Sequence, residues 1–194
     1  YPGPQDMNRV FPGSPNGIMS ERAAALLMGK VLTKADAVCD IHAALHGAVF
    51  VPNANIAPVA ACSSEDVHRR TVALARAFGT PFLFDNSEIP NSIRMPLVKG
   101  GIPATMVEFG EAMVIDKQAL QFGMQGLSNL MKHLRILPGE PVLPAEQILI
   151  KKLHRVTSNR GGFLKMKVQP GDRAAKGQVL AQIEDLLGLS LIHI

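Results

Sequence analysis

The chain has 194 residues, of which 47% are apolar and 19% charged, with 17 glycines, 14 prolines and a formal net charge of +4. A chain of this length buries roughly 70% of its unfolded surface in one sizeable domain, or one domain and a small appendage, and this composition excludes intrinsic disorder, collagen and coiled coil. The basic residues form no run, Trp is absent and Tyr occurs once, so a nucleic-acid groove built on stacked aromatics is disfavoured.

No window approaches the ~18 consecutive apolar residues of a membrane span, and the opening residues do not read as a signal peptide. Cys39 and Cys62 each lie in an apolar stretch, which suits free buried thiols in a reducing, cytoplasmic compartment. Both ends read as interruptions of a longer chain. Tyr1 opens inside a turn-rich stretch, and 189–194 (LSLIHI) is apolar with neither turn nor cap. It resembles a translated sequencing adapter and is set aside as a scar.

In chain order, Ser20 as N-cap and Glu21 in the first turn open a helix over 22–32. Residues 35–41 (ADAVCDI) suit a short buried strand. Ser63-Ser64-Glu65-Asp66 opens a second helix, closed by Gly79. A strand follows at 81–84, a short helix at 93–101, a third strand at 103–109 and a long helix at 117–137. Strands alternating with helices through short loops predict an α/β fold with a mostly parallel sheet covered on both faces. Ligands in such sheets collect beyond the carboxyl ends of the strands. After Pro138 the texture changes. Pro141 and Pro144 suit a linker, and 147–183 shows strand-like runs broken by Gly161-Gly162, Pro170-Gly171-Asp172 and Gly177. This predicts a small antiparallel β module, with domains at 1–139 and 140–188.

Asp40 and His42 end the first strand, and a period of two puts them on one face. The imidazole suits a metal ligand oriented by the carboxylate, or a hydrogen-bonded strand-end histidine. Glu108 ends the third strand in Met106-Val107-Glu108-Phe109-Gly110. A carboxylate closing an apolar strand is either paired, with Arg94 the candidate, or used in general acid–base work. Asn8-Arg9, before the turn Val10-Phe11-Pro12-Gly13, suits a clamp for a substrate carboxylate, or a surface arginine capping a turn. His46, His68, His133 and His154 are assigned to surface or packing.

Three spaced stretches, 6–13 (DMNRVFPG), 35–42 (ADAVCDIH) and 101–110 (GIPATMVEFG), together resemble the succinylglutamate desuccinylase/aspartoacylase family, which is similar in fold to the zinc carboxypeptidases. The resemblance implies a zinc-dependent deacylase that cleaves the amide bond of a small N-acyl amino acid or related acyl amine. It makes His42 the third ligand of one Zn2+ ion, with Asp40 behind it. Asn8 and Arg9 would hold the substrate carboxylate, joined by Arg94, and Glu108 would activate water and shuttle protons. It implies a cytoplasmic protein acting on a small molecule, with no nucleic acid or membrane partner, and leaves the oligomeric state open, a homo-oligomer included. The family's first two zinc ligands lie in a His-x-x-Glu motif that these residues lack, and an arginine expected shortly before Asp6 is also absent. Both are expected upstream of Tyr1, and the fragment alone is expected to bind zinc poorly and to be inactive.

Three other readings compete. Residues 159–188 resemble half of a biotinyl or lipoyl carrier, a barrel-sandwich shape, but Ile183-Glu184-Asp185-Leu186-Leu187-Gly188 lacks the carrier lysine. A metallocarboxypeptidase acting on peptides would use the same Asn-Arg and Glu chemistry. A zinc-free binding relative is the third.

Overall fold

The computed structural model describes residues 6–45, 47–85, 89–114 and 116–193, with the backbone alone for 190–193. His46 lies outside the described residues. The chain divides into a unit ending at Lys151 and a second from Lys152 onward.

In the first unit, α1 (Met19–Lys30) is followed by β1 (Val38–His42) and β2 (Val49–Asn55). Then come α2 (Glu65–Phe78), β3 (Phe82–Phe84), α3 (Arg94–Lys99), β4 (Ala104–Glu111), α4 (Lys117–His133) and β5 (Ile148–Ile150). The five strands form one sheet in the order β1-β4-β2-β3-β5. Pairings β1–β4, β2–β3 and β3–β5 are parallel, whereas β2–β4 is antiparallel. The sheet is therefore mostly parallel, and β1 is an edge strand.

Side chains alternate across these strands, so the two faces have separate cores. Ala104 packs with Phe11, Ala24, Met28, Leu97 and Val98, on the side of α1 and α3. Ala54, Leu83 and Val107 pack with Leu74, Phe78 and Leu130, on the side of α2 and α4. Phe78, Phe109 and Phe122 meet there with ring centroids 5.1 to 6.2 Å apart. Gly126 permits this approach, because a Cβ at that position would lie 2.1 Å from the Phe78 ring. Cys39 sits beside this core. Burial, helped by the Asp40 charge, pushes its thiol up to about 12, so it packs as a protonated group rather than serving as a nucleophile. Both cysteines are free.

Several helix boundaries shift from expectation. Ile18 rather than Ser20 is the N-cap of α1, and its N–H is met by Glu21 Oε2 at 2.8 Å. The Ser64 hydroxyl caps α2 as expected, accepting from Val67 N–H, and Gly79 at φ 93° ends it. Helix α4 stops at His133 rather than 137. Arg135 turns left-handed at φ 58°, and the Ile136 and Leu137 N–H groups fold back onto the Met131 carbonyl. Asn129 then ties down the chain beyond. Its Nδ2 donates to the Phe78 and Val142 carbonyls, and its Oδ1 accepts from Val142 N–H.

Two strands depart from the expected layout. The sequence reading lacks β2, and its antiparallel pairing with β4 is what makes the sheet mixed: β1 and β4 run one way, β2, β3 and β5 the other. β5 pairs in parallel with β3, so 148–150 belongs to the first unit. The division therefore falls after Lys151 rather than near residue 140, because a short apolar strand beyond the proline-rich stretch completes the sheet.

The second unit has three antiparallel strands, β6 (Phe163–Met166), β7 (Ala181–Glu184) and β8 (Ser190–His193), with β7 central. Among the described residues, Ala181 and Ile183 are its buried apolar side chains. The Asp172 carboxylate accepts from Gln169 N–H across the Pro170-Gly171 turn, and Asp185 Oδ1 accepts from the Leu187 and Leu189 N–H groups. Residues 190–193, set aside above as a scar, thus pair with β7. An apolar segment beside an open sheet edge pairs with it whatever its origin.

Candidate active site

The register of β1 and β4 builds the site. Val38 lies opposite Ala104, Asp40 opposite Met106, and His42 opposite Glu108. Parallel partners share a face, and neighbouring strands run about 4.8 Å apart, so the imidazole and the carboxylate arise side by side where β1 ends. β4 does not end there but runs on three residues past Glu108 to Glu111. Asp40 Oδ2 lies 2.8 Å from His42 Nε2. That hydrogen bond raises the His42 pKa above its usual value. Burial opposes the rise, and the negative charges of Asp40, Glu108 and Asp6 add to it.

Asn8 closes the site from the 3₁₀ turn Met7–Arg9. Asp6 caps this turn by accepting from Asn8 N–H at 2.9 Å. The Asn8 Nδ2 lies 3.2 Å from His42 Nε2 and 3.4 Å from Asp40 Oδ2. Its Oδ1 accepts from Ile93 N–H at 2.8 Å. One amide therefore links the turn, the end of β1 and the start of α3. Arg9 is 46% exposed; it donates to the Asn8 carbonyl at 2.7 Å and lies 3.7 Å from Asp6. Arg94, the first residue of α3, is fully buried, and its charge reaches Cys62.

The structure therefore brings together Asn8, Asp40, His42 and Glu108, with Arg9 beside them at the surface and Arg94 in the interior one residue from the Asn8 anchor. Sequence reasoning missed Asn53 and Asn55. Both are buried on β2, and Asn55 Nδ2 reaches Glu108 Oε2 at 3.1 Å. The signal was present in Asn53-Ala54-Asn55, where a period of two puts two amides on one face of an apolar strand. Among the described residues, no group of three His, Cys, Asp or Glu side chains converges as a metal site. A catalytic zinc takes three protein ligands. The donor set here fits one corner of such a site, an imidazole held at one ring nitrogen by a carboxylate.

A mostly parallel α/β sheet with an imidazole, a carboxylate pair and an amide gathered where its edge strand β1 ends has the frame of an α/β enzyme domain. The chain belongs to the succinylglutamate desuccinylase/aspartoacylase family, whose catalytic-domain model matches residues 2–134. It is 26% identical over 187 residues to the N-alpha-acetyl-L-2,4-diaminobutyric acid deacetylase of Halomonas elongata, covering 93% of this chain and 54% of that protein. The chain thus spans about half the length of this curated relative. Among solved structures, the product-bound ectoine utilization protein EutE (DoeB) from Ruegeria pomeroyi matches at a TM-score of 0.83 and 25% identity, covering 97% of this chain and 58% of that one. The succinylglutamate desuccinylase/aspartoacylase from Rhodobacter sphaeroides matches in fold at a TM-score of 0.81 and 23% identity, with 97% and 58% covered.

Proposed function

We propose that the whole protein containing this chain is a zinc-dependent deacylase that hydrolyses the amide bond of a small N-acyl amino acid or related acyl amine. The observation that carries this reading is the register match of His42 and Glu108 on adjacent parallel strands. The relative in Halomonas elongata acts on an N-acetylated amino acid, which supports the substrate class.

In this reading His42 supplies one zinc ligand, oriented by Asp40, and residues outside this chain supply the others, so the chain alone is inactive. Zinc, when bound, polarises an amide carbonyl and acidifies water. Glu108 takes a proton from water as the oxygen attacks the carbonyl carbon. It returns that proton to the nitrogen as the C–N bond breaks, giving a carboxylic acid and an amine. Arg9, partly exposed with its charge beside the site, grips the substrate carboxylate, and the Asn8 amide lies next to it. The second unit is read, by itself, as part of a barrel-sandwich domain.

The test is turnover of N-acetyl-2,4-diaminobutyrate and related N-acyl amino acids by the whole protein, set against release of C-terminal residues from peptides. Hydrolysis of the small substrates is expected. Peptide cleavage without it would support the carboxypeptidase reading, and a protein without metal or turnover would support a binding relative. Hydrogen bonds to a charged group contribute about 1.5–3 kcal/mol, so Arg9→Ala should raise KM roughly 10- to 100-fold with little change in kcat. An unaltered KM would end the clamp assignment.

A further inference from the structure

Glu108 is held by a relay of two buried amides, and the geometry of each fixes the next. β2 enters this relay through a slip. Phe50 lies opposite Gly110 but Asn53 lies opposite Glu108, one residue more on β2 than on β4. Pro52, which has no N–H to give to a ladder, falls inside that slip. The extra residue re-aims β2 so that Asn53 and Asn55 fall on the same face as Glu108.

Asn53 Nδ2 donates to the Val51 carbonyl at 3.0 Å and the Glu108 carbonyl at 3.4 Å. Carbonyl oxygens only accept, so this end of Asn53 has to be its NH2 group, and its Oδ1 faces Asn55. Asn55 must then present its own NH2 to Asn53 Oδ1, at 2.8 Å, and the same nitrogen reaches Glu108 Oε2 at 3.1 Å. Asn53 and Asn55 are 2% and 4% exposed, so the bond between them is shielded from water.

We infer that Asn55, oriented by Asn53, is a positioning residue for Glu108: it occupies Oε2 with a donor, so the proton moved in turnover is carried on Oε1. This rests on the deacylase reading and extends it to a residue pair that the resemblance did not include. The Asn55 hydrogen bond fills one lone-pair direction of Oε2, which leaves Oε1 the less encumbered oxygen for the proton, and it helps hold the carboxylate in place.

The test uses the whole protein. Asn55→Leu should lower kcat for an N-acyl amino acid at least about tenfold, with KM and zinc content within twofold of the native protein. In a Glu108→Gln background the same substitution should lower kcat less than twofold further, because the group it acts through is already gone. Where Asn55→Leu does not fold, Asn55→Ser, which fits the same space, is read in the same two backgrounds. An unchanged kcat, or equal losses in both backgrounds, overturns the relay. A native protein that turns over no N-acyl amino acid overturns the deacylase reading, and the relay with it. Native turnover with an insensitive Asn55 overturns the relay alone.

Discussion

Replacing Glu108 with Gln in the whole protein is expected to lower turnover of an N-acyl amino acid by about 10²- to 10⁴-fold, the contribution of a positioned general base. The side chain keeps its length, and a Gln oxygen can still accept from Asn55 Nδ2, so the neighbouring amides stay in place. What is lost is the ability to take a proton from water and return it to the departing nitrogen. Metal content should be unchanged, because the zinc ligand proposed on this chain is His42, opposite Glu108 in the strand register. Turnover and metal analysis on the same preparation check this. Retained turnover would remove the carboxylate from its role, and lost metal would make it a ligand instead.

The second large effect is on stability. Asn129→Leu removes the side chain that joins α4 to the end of α2 and to the stretch leading into β5. Its amide meets the Phe78 carbonyl at 3.2 Å and both backbone groups of Val142 at 2.8 Å, and it is 1% exposed. Each buried partner left unsatisfied costs about 1–3 kcal/mol, less where water can reach it, as on the Val142 side. A total of about 3 kcal/mol, or a fall in Tm of roughly 6–12 °C for a domain of this size, is expected. Thermal unfolding measures it, and a change under about 0.5 kcal/mol, typical of a neutral surface substitution, would show that the tether contributes nothing.

How much was legible in the sequence follows from what is local and what is not. Asp40 and His42 share a strand, so a period of two was enough to place them together. Glu108 lies sixty-six positions beyond His42, and its setting as a carboxylate in an apolar strand suggested the same part of the sheet. The register sets it opposite His42, although β4 does not close there but runs on to Glu111. The caps at Ser64 and Gly79 are short-range signals, and both act as expected. β2 was hidden because Pro52, Asn53 and Asn55 are poor strand formers. It owes its place to pairing with β4 and β3, which no local pattern reports. β5 fell within the strand-like run 147–183 but was assigned to the β module, since three residues beyond a proline-rich stretch carry no signal that they pair back with β3. The amides behind Glu108 became visible only once β2 was seen to run antiparallel with a one-residue slip.

The position of β1 has a consequence for handling the fragment. Among the described residues it is hydrogen-bonded along one side only, to β4. No strand among the described residues pairs with its other side, which runs up to His42, and Ile41 there is 41% exposed. Such a rim is a ready template for any extended peptide. The 194-residue piece made alone is therefore prone to stick to itself, and the adhesive strip would lie against the histidine proposed to bind the metal.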